Sequence, residues 1–448
     1  MSRYTSATDQ HRQEMLDAIG VGSIEDLFEE IPPGVRLGRD IDLPPGRSEQ
    51  EVLEELTQLA ARNRSADDET TFLGGGMYDH YIPAVVDSML SRSEFLTPYT
   101  PYQPEVSQGT LQVMFEYQTA MSELTGLPVS NATLYDGPSA AAAAAYMAKL
   151  ENRRGKLVFS RGVHPHARAA LRTHAAGYRM EVEEVPLTAE GATDPEALSA
   201  AVDDDTSAVF LQQPNFLGTV EDLSPLAEAA KSTGALLVCA ADPLPLGILE
   251  PPGELGVDVC VGEGQSLGNR LDYGGPSFGF ITAAERYIRK LPGRIAGETR
   301  DADGKRGFVL TLQTREQHIR REKATSNITT AQTLNALAGI VYLSWLGKRG
   351  LVELGELMLR RTHYAREQLG LELINPGPMV REFAVRVPDI DKLFERARAA
   401  GINPGYRLGR DYPEYEDGLL VAITERRSKD DIDRLVRIAA SVREGVAA

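Results

Sequence analysis

The sequence predicts an α/β protein, with a mostly parallel sheet inside a large αβα domain and a small α+β domain after it. Three observations predict this. From residue 156 onward, short apolar runs alternate with helical stretches. Two of these runs, Ala235-Leu-Leu-Val-Cys239 and Val257-Asp-Val-Cys-Val261, lead into Asp242 and Gly262-Glu-Gly-Gln-Ser266. Beyond a long helical stretch near 329–368, apolar runs at 381–387 and 418–423 flank a helix near 389–400.

Taken in order, residues 1–95 form an N-terminal helical and extended segment, broken at Ile31-Pro-Pro-Gly34 and Leu43-Pro-Pro-Gly46. Ser23-Ile-Glu-Asp26 reads as a capped helix start. Leu53, Leu56 and Leu59 recur every three residues, which suits one face of a helix over 51–62. Residues 72–110 are rich in glycine, proline and aromatics, with no clean period; so long an irregular stretch marks functional ground.

The large domain spans 96–345. A helix over 108–126 closes on glycine, and Asp136-Gly-Pro-Ser139 opens an alanine-rich helix. Strands follow at 157–159, 179–185, 208–211, 235–239 and 257–261, with helices near 165–176, 195–202 and 224–233 between the earlier ones. Such a sheet is covered on both faces and offers ligands the carboxyl ends of its strands, where Asp242 and Ser266 fall. Residues 346–448 form the small C-terminal domain.

The 448 residues carry 47 Lys and Arg against 65 Asp and Glu, a net charge of −18. So acidic a surface repels phosphate backbones, which argues against nucleic acid. No apolar stretch approaches the roughly 18 residues of a membrane helix, and the first ten residues lack a signal-peptide core. Cys239 and Cys260 lie in strand-like runs, as buried thiols do. These features point to a cytoplasmic protein that engages no membrane.

Several places can carry chemistry, and each has a plainer reading. The amides that open the Asp136–Ala142 helix, with Ser139, can cradle a phosphate; the same alanines equally suit tight packing on the sheet. Asp242 can hold a pyridine nitrogen or cap the turn before Pro243. His164 and His166 can orient a cofactor ring or simply open a helix. A Schiff-base lysine needs a sheltered strand end, and none of the nine lysines sits at one. Lys323 occupies an unusual arginine-rich segment, but no apolar strand precedes it.

Two segments stand out. Thr97-Pro-Tyr-Thr-Pro-Tyr-Gln-Pro-Glu-Val-Ser-Gln-Gly109 holds Tyr99, Tyr102 and Gln103 on a proline-stiffened backbone, as a pocket wall would. Gln313-Thr-Arg-Glu-Gln-His-Ile-Arg-Arg-Glu-Lys-Ala-Thr-Ser-Asn-Ile328 gathers Arg315, His318, Arg320, Arg321, Lys323 and Asn327. Its arginine forks suit a carboxylate, whereas Glu316 and Arg320, four apart, suit an ordinary helix pair; the arginine-rich stretch Arg294–Arg321 suits either an anion site or a solvated helix face.

Both segments closely resemble the glycine cleavage system P-protein family, as do Leu124-Thr-Gly-Leu-Pro128, Tyr273-Gly-Gly-Pro276 and Pro292-Gly-Arg-Ile-Ala-Gly-Glu-Thr-Arg-Asp301. The resemblance runs along the whole chain and is closest to the amino-terminal half of that family, its subunit 1. It implies the aspartate-aminotransferase-like fold type I of pyridoxal-phosphate enzymes. It implies a glycine decarboxylase in which subunit 2 carries pyridoxal 5'-phosphate on a lysine that aligns here with Ser266. It further implies transfer of the aminomethyl group from glycine to the lipoyl arm of H-protein. Asp242, Ser139 and Ser266 then resemble remnants of a cofactor site. Tyr99, Tyr102, Gln103, Arg315, His318, Arg320, Arg321, Lys323 and Asn327 become candidates for lining or supporting the junction with subunit 2.

Overall fold

A computed structural model describes residues 6–275 and 277–444, so Pro276 of the Tyr273–Pro276 motif and the last residues of the C-terminal domain lie outside the described residues. The chain divides into two compact units, Met1–Arg64 and Ser65–Ala448.

In the first unit, helix Asp9–Ile19 is capped by Thr8, whose side chain accepts from the His11 amide, and it closes on Gly20. Helix Glu49–Ala60 starts with a reciprocal capping box between Ser48 and Glu51. Leu53, Leu56 and Leu59 share one face of it, as their spacing predicts, yet all three are exposed. The helix expected after Ser23 shrinks to a single 3-10 turn, Glu25–Phe28. Asp26 spends its carboxylate on the Gly22 and Ser23 amides, closing a local turn that competes with helix propagation.

The second unit is built on a seven-stranded sheet. Its strands are β1 (Val129–Ser130), β2 (Lys156–Ser160), β3 (Glu181–Val185), β4 (Thr206–Gln213), β5 (Leu236–Ala241), β6 (Val259–Glu263) and β7 (Gly279–Ala283). The spatial order is β1-β7-β6-β5-β4-β2-β3, antiparallel at β1/β7 and β7/β6 and parallel elsewhere. The five parallel strands are the five that the sequence predicts. Their side chains alternate between two cores: Val209, Leu211, Leu237 and Cys239 face one helical layer, and Ala208, Phe210, Leu236 and Val238 face the other. That explains why the inner strands read as apolar runs, whereas the edge strand β3, Glu181-Val-Glu-Glu-Val185, carries glutamates. Cys239 and Cys260 are cross-strand neighbours, free and fully buried, and burial pushes both thiols far up.

A long helical segment, Thr333–Leu369, broken at Gly347, leads into the C-terminal lobe. There the strands Glu382–Arg386, Gly418–Ala422 and Tyr406–Arg407 form an antiparallel sheet, accompanied by helices Ile390–Ala399 and Lys429–Glu444. Thr70–Thr71 pairs in parallel with Ile402–Asn403, so the chain enters the second unit through this lobe.

One departure concerns residues 294–321. No solvated helix face forms there; Ile295–Arg300 and Arg306–Thr311 make an antiparallel hairpin, followed by the short turns Gln313–Arg315, Gln317–Arg320 and Arg321–Lys323. Glu316 consequently sits 3.6 Å from the His318 ring rather than pairing with Arg320 along a helix.

Candidate functional site

The register of β5 on β6 sets Asp242 and Ser266 at the same carboxyl edge, on neighbouring parallel strands. Segment 74–80 fills the space beside them. Gly75 N donates to Glu382 Oε1 at 2.8 Å, and Tyr78 Oη donates to Glu382 Oε2 at 2.6 Å. Gln265 Oε1 accepts from Tyr78 N at 2.8 Å, and its Nε2 donates to Tyr78 O at 3.0 Å. Glycine is required for this path. A Cβ on Gly74 would lie 2.2 Å from Glu382 Oε1, and one on Gly76 (φ +101°) would lie 2.8 Å from the His164 ring.

Asp242 holds the guanidinium of Arg381, which is 3 % exposed, and its Oδ1 accepts from Leu244 N at 3.3 Å. The turn-capping reading of Asp242 is therefore realised, and its other oxygen is committed to an arginine. Arg381 stacks 3.2 Å from the Tyr78 ring centroid and donates to His80 Nε2 at 2.5 Å. A guanidinium only donates, so the His80 ring proton sits on Nδ1, toward Glu425 Oε2 at 2.7 Å. Burial pushes Glu382 and Tyr78 up.

At the head of helix Gly137–Asn152 the amides are also spoken for. Gly137 N donates to Glu263 Oε2 at 3.0 Å, and Ser139 N to Asp136 Oδ1 at 2.7 Å. Glu263 further accepts from Gln265 N at 3.1 Å and from Ser277 Oγ. Ala140, Ala144, Ala145 and Ala148 pack into the core, so the tight-packing reading of this helix holds. His164 donates from Nε2 to Gly75 O at 2.8 Å, while its Nδ1 accepts from His166 N at 3.1 Å; burial drives its pKa down to about 4. Ser266 is 3 % exposed and its hydroxyl has no partner.

These residues do not fit pyridoxal phosphate. Position 266 offers no amine, Asp242 is occupied by a cation, and the helix head by carboxylates. What remains is a cavity of about 30 Å³, bordered by Gly76, Gln212 and Phe216, the share of a single water. Arg381, Tyr78, Glu382 and Glu263 were not legible as site residues, because their partners lie far away in sequence.

A second, larger cleft of about 630 Å³ lies elsewhere and gathers Tyr102, His318, Arg321 and Asn327 from the two long motifs. Tyr102 and His318 meet edge to face, with ring centroids 5.7 Å apart. Arg294, absent from the predicted site residues, anchors the wall. Its Nη2 donates to Tyr102 Oη at 3.2 Å and to Thr329 O at 2.9 Å, with its Cζ 5.5 Å from the Tyr102 ring. Arg294 Nε and Glu316 Oε1, both on residues lining the cleft, are buried and unpartnered. The sequence signal for Arg294 was its place inside the Pro292–Asp301 motif.

The other candidates fall outside the cleft lining. Tyr99 is 92 % exposed, and Gln103 precedes the turn Pro104–Val106 on the surface. Arg320 and Lys323 are also exposed, which denies Lys323 the shelter a Schiff-base amine needs. Arg315 departs most from its expected use. Its fork donates to the carbonyls of Leu291, Gly293 and Leu312, so it binds main chain rather than a carboxylate ligand. Burial pulls its pKa down. Among the described residues no cluster of His, Cys, Asp or Glu could hold a metal ion, and no helix is long and apolar enough to cross a membrane.

Comparison with known proteins places this geometry. The family model described as glycine cleavage system P-protein matches residues 2–439. A protein of Carboxydothermus hydrogenoformans named probable glycine dehydrogenase (decarboxylating) subunit 1 is 49% identical over 439 residues, covering 97% of this chain and 99% of its own. A protein of the same name from Geotalea uraniireducens is 50% identical, with 97% and 98% covered. The crystal structure of a glycine decarboxylase (P-protein) in inhibitor-bound form superposes with a TM-score of 0.89 at 44% identity, over 98% of this chain and 100% of that one. A sphingosine-1-phosphate lyase of Burkholderia pseudomallei, 16% identical with a TM-score of 0.65 over 92% of this chain and 94% of its own, shares the fold alone. The fold is type I of the pyridoxal-phosphate enzymes, and the chain belongs to the glycine cleavage system P-protein family.

Proposed function

We propose that this chain is subunit 1 of a two-subunit, cytoplasmic glycine decarboxylase and does not itself carry the cofactor. Pyridoxal 5'-phosphate is held by subunit 2, where it supplies an electron sink for decarboxylation of glycine. Lipoylated H-protein is the acceptor of the aminomethyl group. Ser266 stands where a cofactor-bearing half has its lysine.

One observation carries this reading. The carboxyl edge of the sheet is closed by Asp242–Arg381 and by Gln265 on Tyr78, whereas the motif residues Tyr102, His318, Arg321 and Asn327 line an open cleft. A chain whose own edge is closed needs a second chain to supply the reacting centre. In this arrangement Tyr102, fixed by Arg294, forms a rigid wall of the junction. His318 and Arg321 favour an anionic group in the cleft, the glycine carboxylate or an acidic surface of H-protein. Arg315 braces the loop that carries them, and Tyr99, Gln103, Arg320 and Lys323 form the exposed rim.

The experiment is reconstitution. This chain, subunit 2 and the mixture are each given pyridoxal phosphate, labelled glycine and lipoylated H-protein, and released carbon dioxide is counted. Turnover is expected only from the mixture, with cofactor trapped by borohydride on subunit 2. One equivalent of cofactor trapped on this chain would overturn the reading.

A further inference from the structure

Two contacts at the carboxyl edge, Asp242 with Arg381 and Glu263 with Gly137 N, are chemically matched to the group they keep out. Protonated pyridine and guanidinium are both cationic N–H donors, and Asp242 receives the guanidinium of Arg381. Phosphate and carboxylate are both anionic acceptors suited to helix-head amides, and Glu263 receives Gly137 N at 3.0 Å. The flat face above Arg381 is covered by the Tyr78 ring at 3.2 Å. The chain thus supplies, from its own residues, one cation and one anion at the two places where a pyridoxal phosphate would present them.

We propose that Arg381 and Glu263, with the segment Gly74–His80, form a built-in plug that replaces the cofactor in this subunit and fastens the C-terminal lobe to the large sheet. The fastening follows from where the residues sit. Arg381 directly precedes the lobe strand Glu382–Arg386, and Asp242 directly follows β5 of the large sheet. Tyr78 is tied to both sides at once, through its hydroxyl to Glu382 and through its main chain to Gln265. Asp79 continues the seam into the lobe, with Arg427 Nη2 at 2.8 Å and its carbonyl accepting from Thr424 Oγ1 at 2.8 Å. Protein groups thus bridge the lobe and the sheet, so the subunit holds together there without a ligand.

The inference rests on the reading that this chain carries no cofactor, and the test separates the two. The native chain, S266K and the triple variant E263A/S266K/R381A are incubated with pyridoxal 5'-phosphate, reduced with borohydride and mapped for a pyridoxyl-lysine at position 266. The native chain and S266K are expected to stay unloaded, and the folded triple variant to take up one equivalent. If the native chain loads elsewhere, the reading of the function fails. If S266K alone loads fully, or the folded triple variant does not load, the plug fails and that reading stands. A thermal melt covers the case in which the triple variant does not fold. R381M leaves the half-buried Asp242 carboxylate without its cation and is expected to lower the melting temperature by several degrees, whereas D242L/R381M, with neither charge, regains most of the loss. An unchanged melting temperature in R381M overturns the fastening.

Discussion

Gln265 reads both main-chain groups of Tyr78, accepting from its N–H at 2.8 Å and donating to its carbonyl at 3.0 Å, as a neighbouring strand would. The carboxamide therefore does in one side chain what a strand pairing does with backbone, and it does so one residue before Ser266. Its remaining amide hydrogen reaches Asn269 O at 2.9 Å, so the group is fully committed.

Replacing Gln265 with alanine leaves the buried Tyr78 N–H unpaired, while its C=O keeps only the His80 N–H at 3.1 Å. About 1–3 kcal/mol of stability is expected to be lost, read by denaturant unfolding. Hydrogen exchange should quicken at residues 74–80 while β4 and β5 remain protected. Unchanged exchange at Tyr78 would contradict the assigned pairing.

His164 predicts an acid-side loss of stability. Both ring nitrogens are satisfied in the neutral form, and protonating Nδ1 sets a new N–H against the His166 N–H. The folded pKa of about 4 lies below the unfolded value of about 6.5. A depressed histidine gives stability that is present above 6.5 and lost as pH falls toward 4, up to about 3 kcal/mol in all. The variant His164→Asn should show a flatter dependence of unfolding free energy on pH across that window; the same slope as the native chain would rule His164 out.

The cleft predicts a graded response. Arg294 holds Tyr102 through one donor and Thr329 through the same nitrogen. Tyr102→Phe loses one hydrogen bond worth about 1 kcal/mol, and roughly a fivefold fall in turnover of the assembled complex follows. Arg294→Ala frees the ring itself, and about tenfold or more is expected. Arg294→Lys should not restore the native rate, because an ammonium cannot reproduce the planar fork. Full activity in Arg294→Ala with normal subunit assembly would remove the cleft from the reaction.

Arg315 separates a brace from a ligand contact. With its fork on three carbonyls, Arg315→Met should cost about 3 kcal/mol in the isolated chain, seen as a lower urea midpoint. A carboxylate-binding arginine would instead raise KM and leave the midpoint unchanged.

The architecture was legible because its signals are local. Five runs gave the five parallel strands, and Gly126 closed its helix. What escaped were elements without a local period: the two-residue edge strand Val129–Ser130, the strand Gly279–Ala283 beside it, and the hairpin of 295–311 with its mixed charged pattern. The cleft was half legible, since Tyr102, His318, Arg321 and Asn327 stand in the two long motifs and Arg294 in the shorter Pro292–Asp301 motif, but that these three segments meet is decided by tertiary contact.

By itself the sequence determined a doubly covered parallel sheet, a serine rather than a lysine at position 266, and membership of a family. Those depend on residue identity and on periodicity along the chain. Tertiary structure alone decided what occupies the carboxyl edge of the sheet. Asp242 lies 139 residues from Arg381, and Tyr78 lies 187 from Gln265 and 304 from Glu382. A buried charge has to be paired wherever the fold brings a partner, and no spacing in the sequence encodes a pairing made across two lobes.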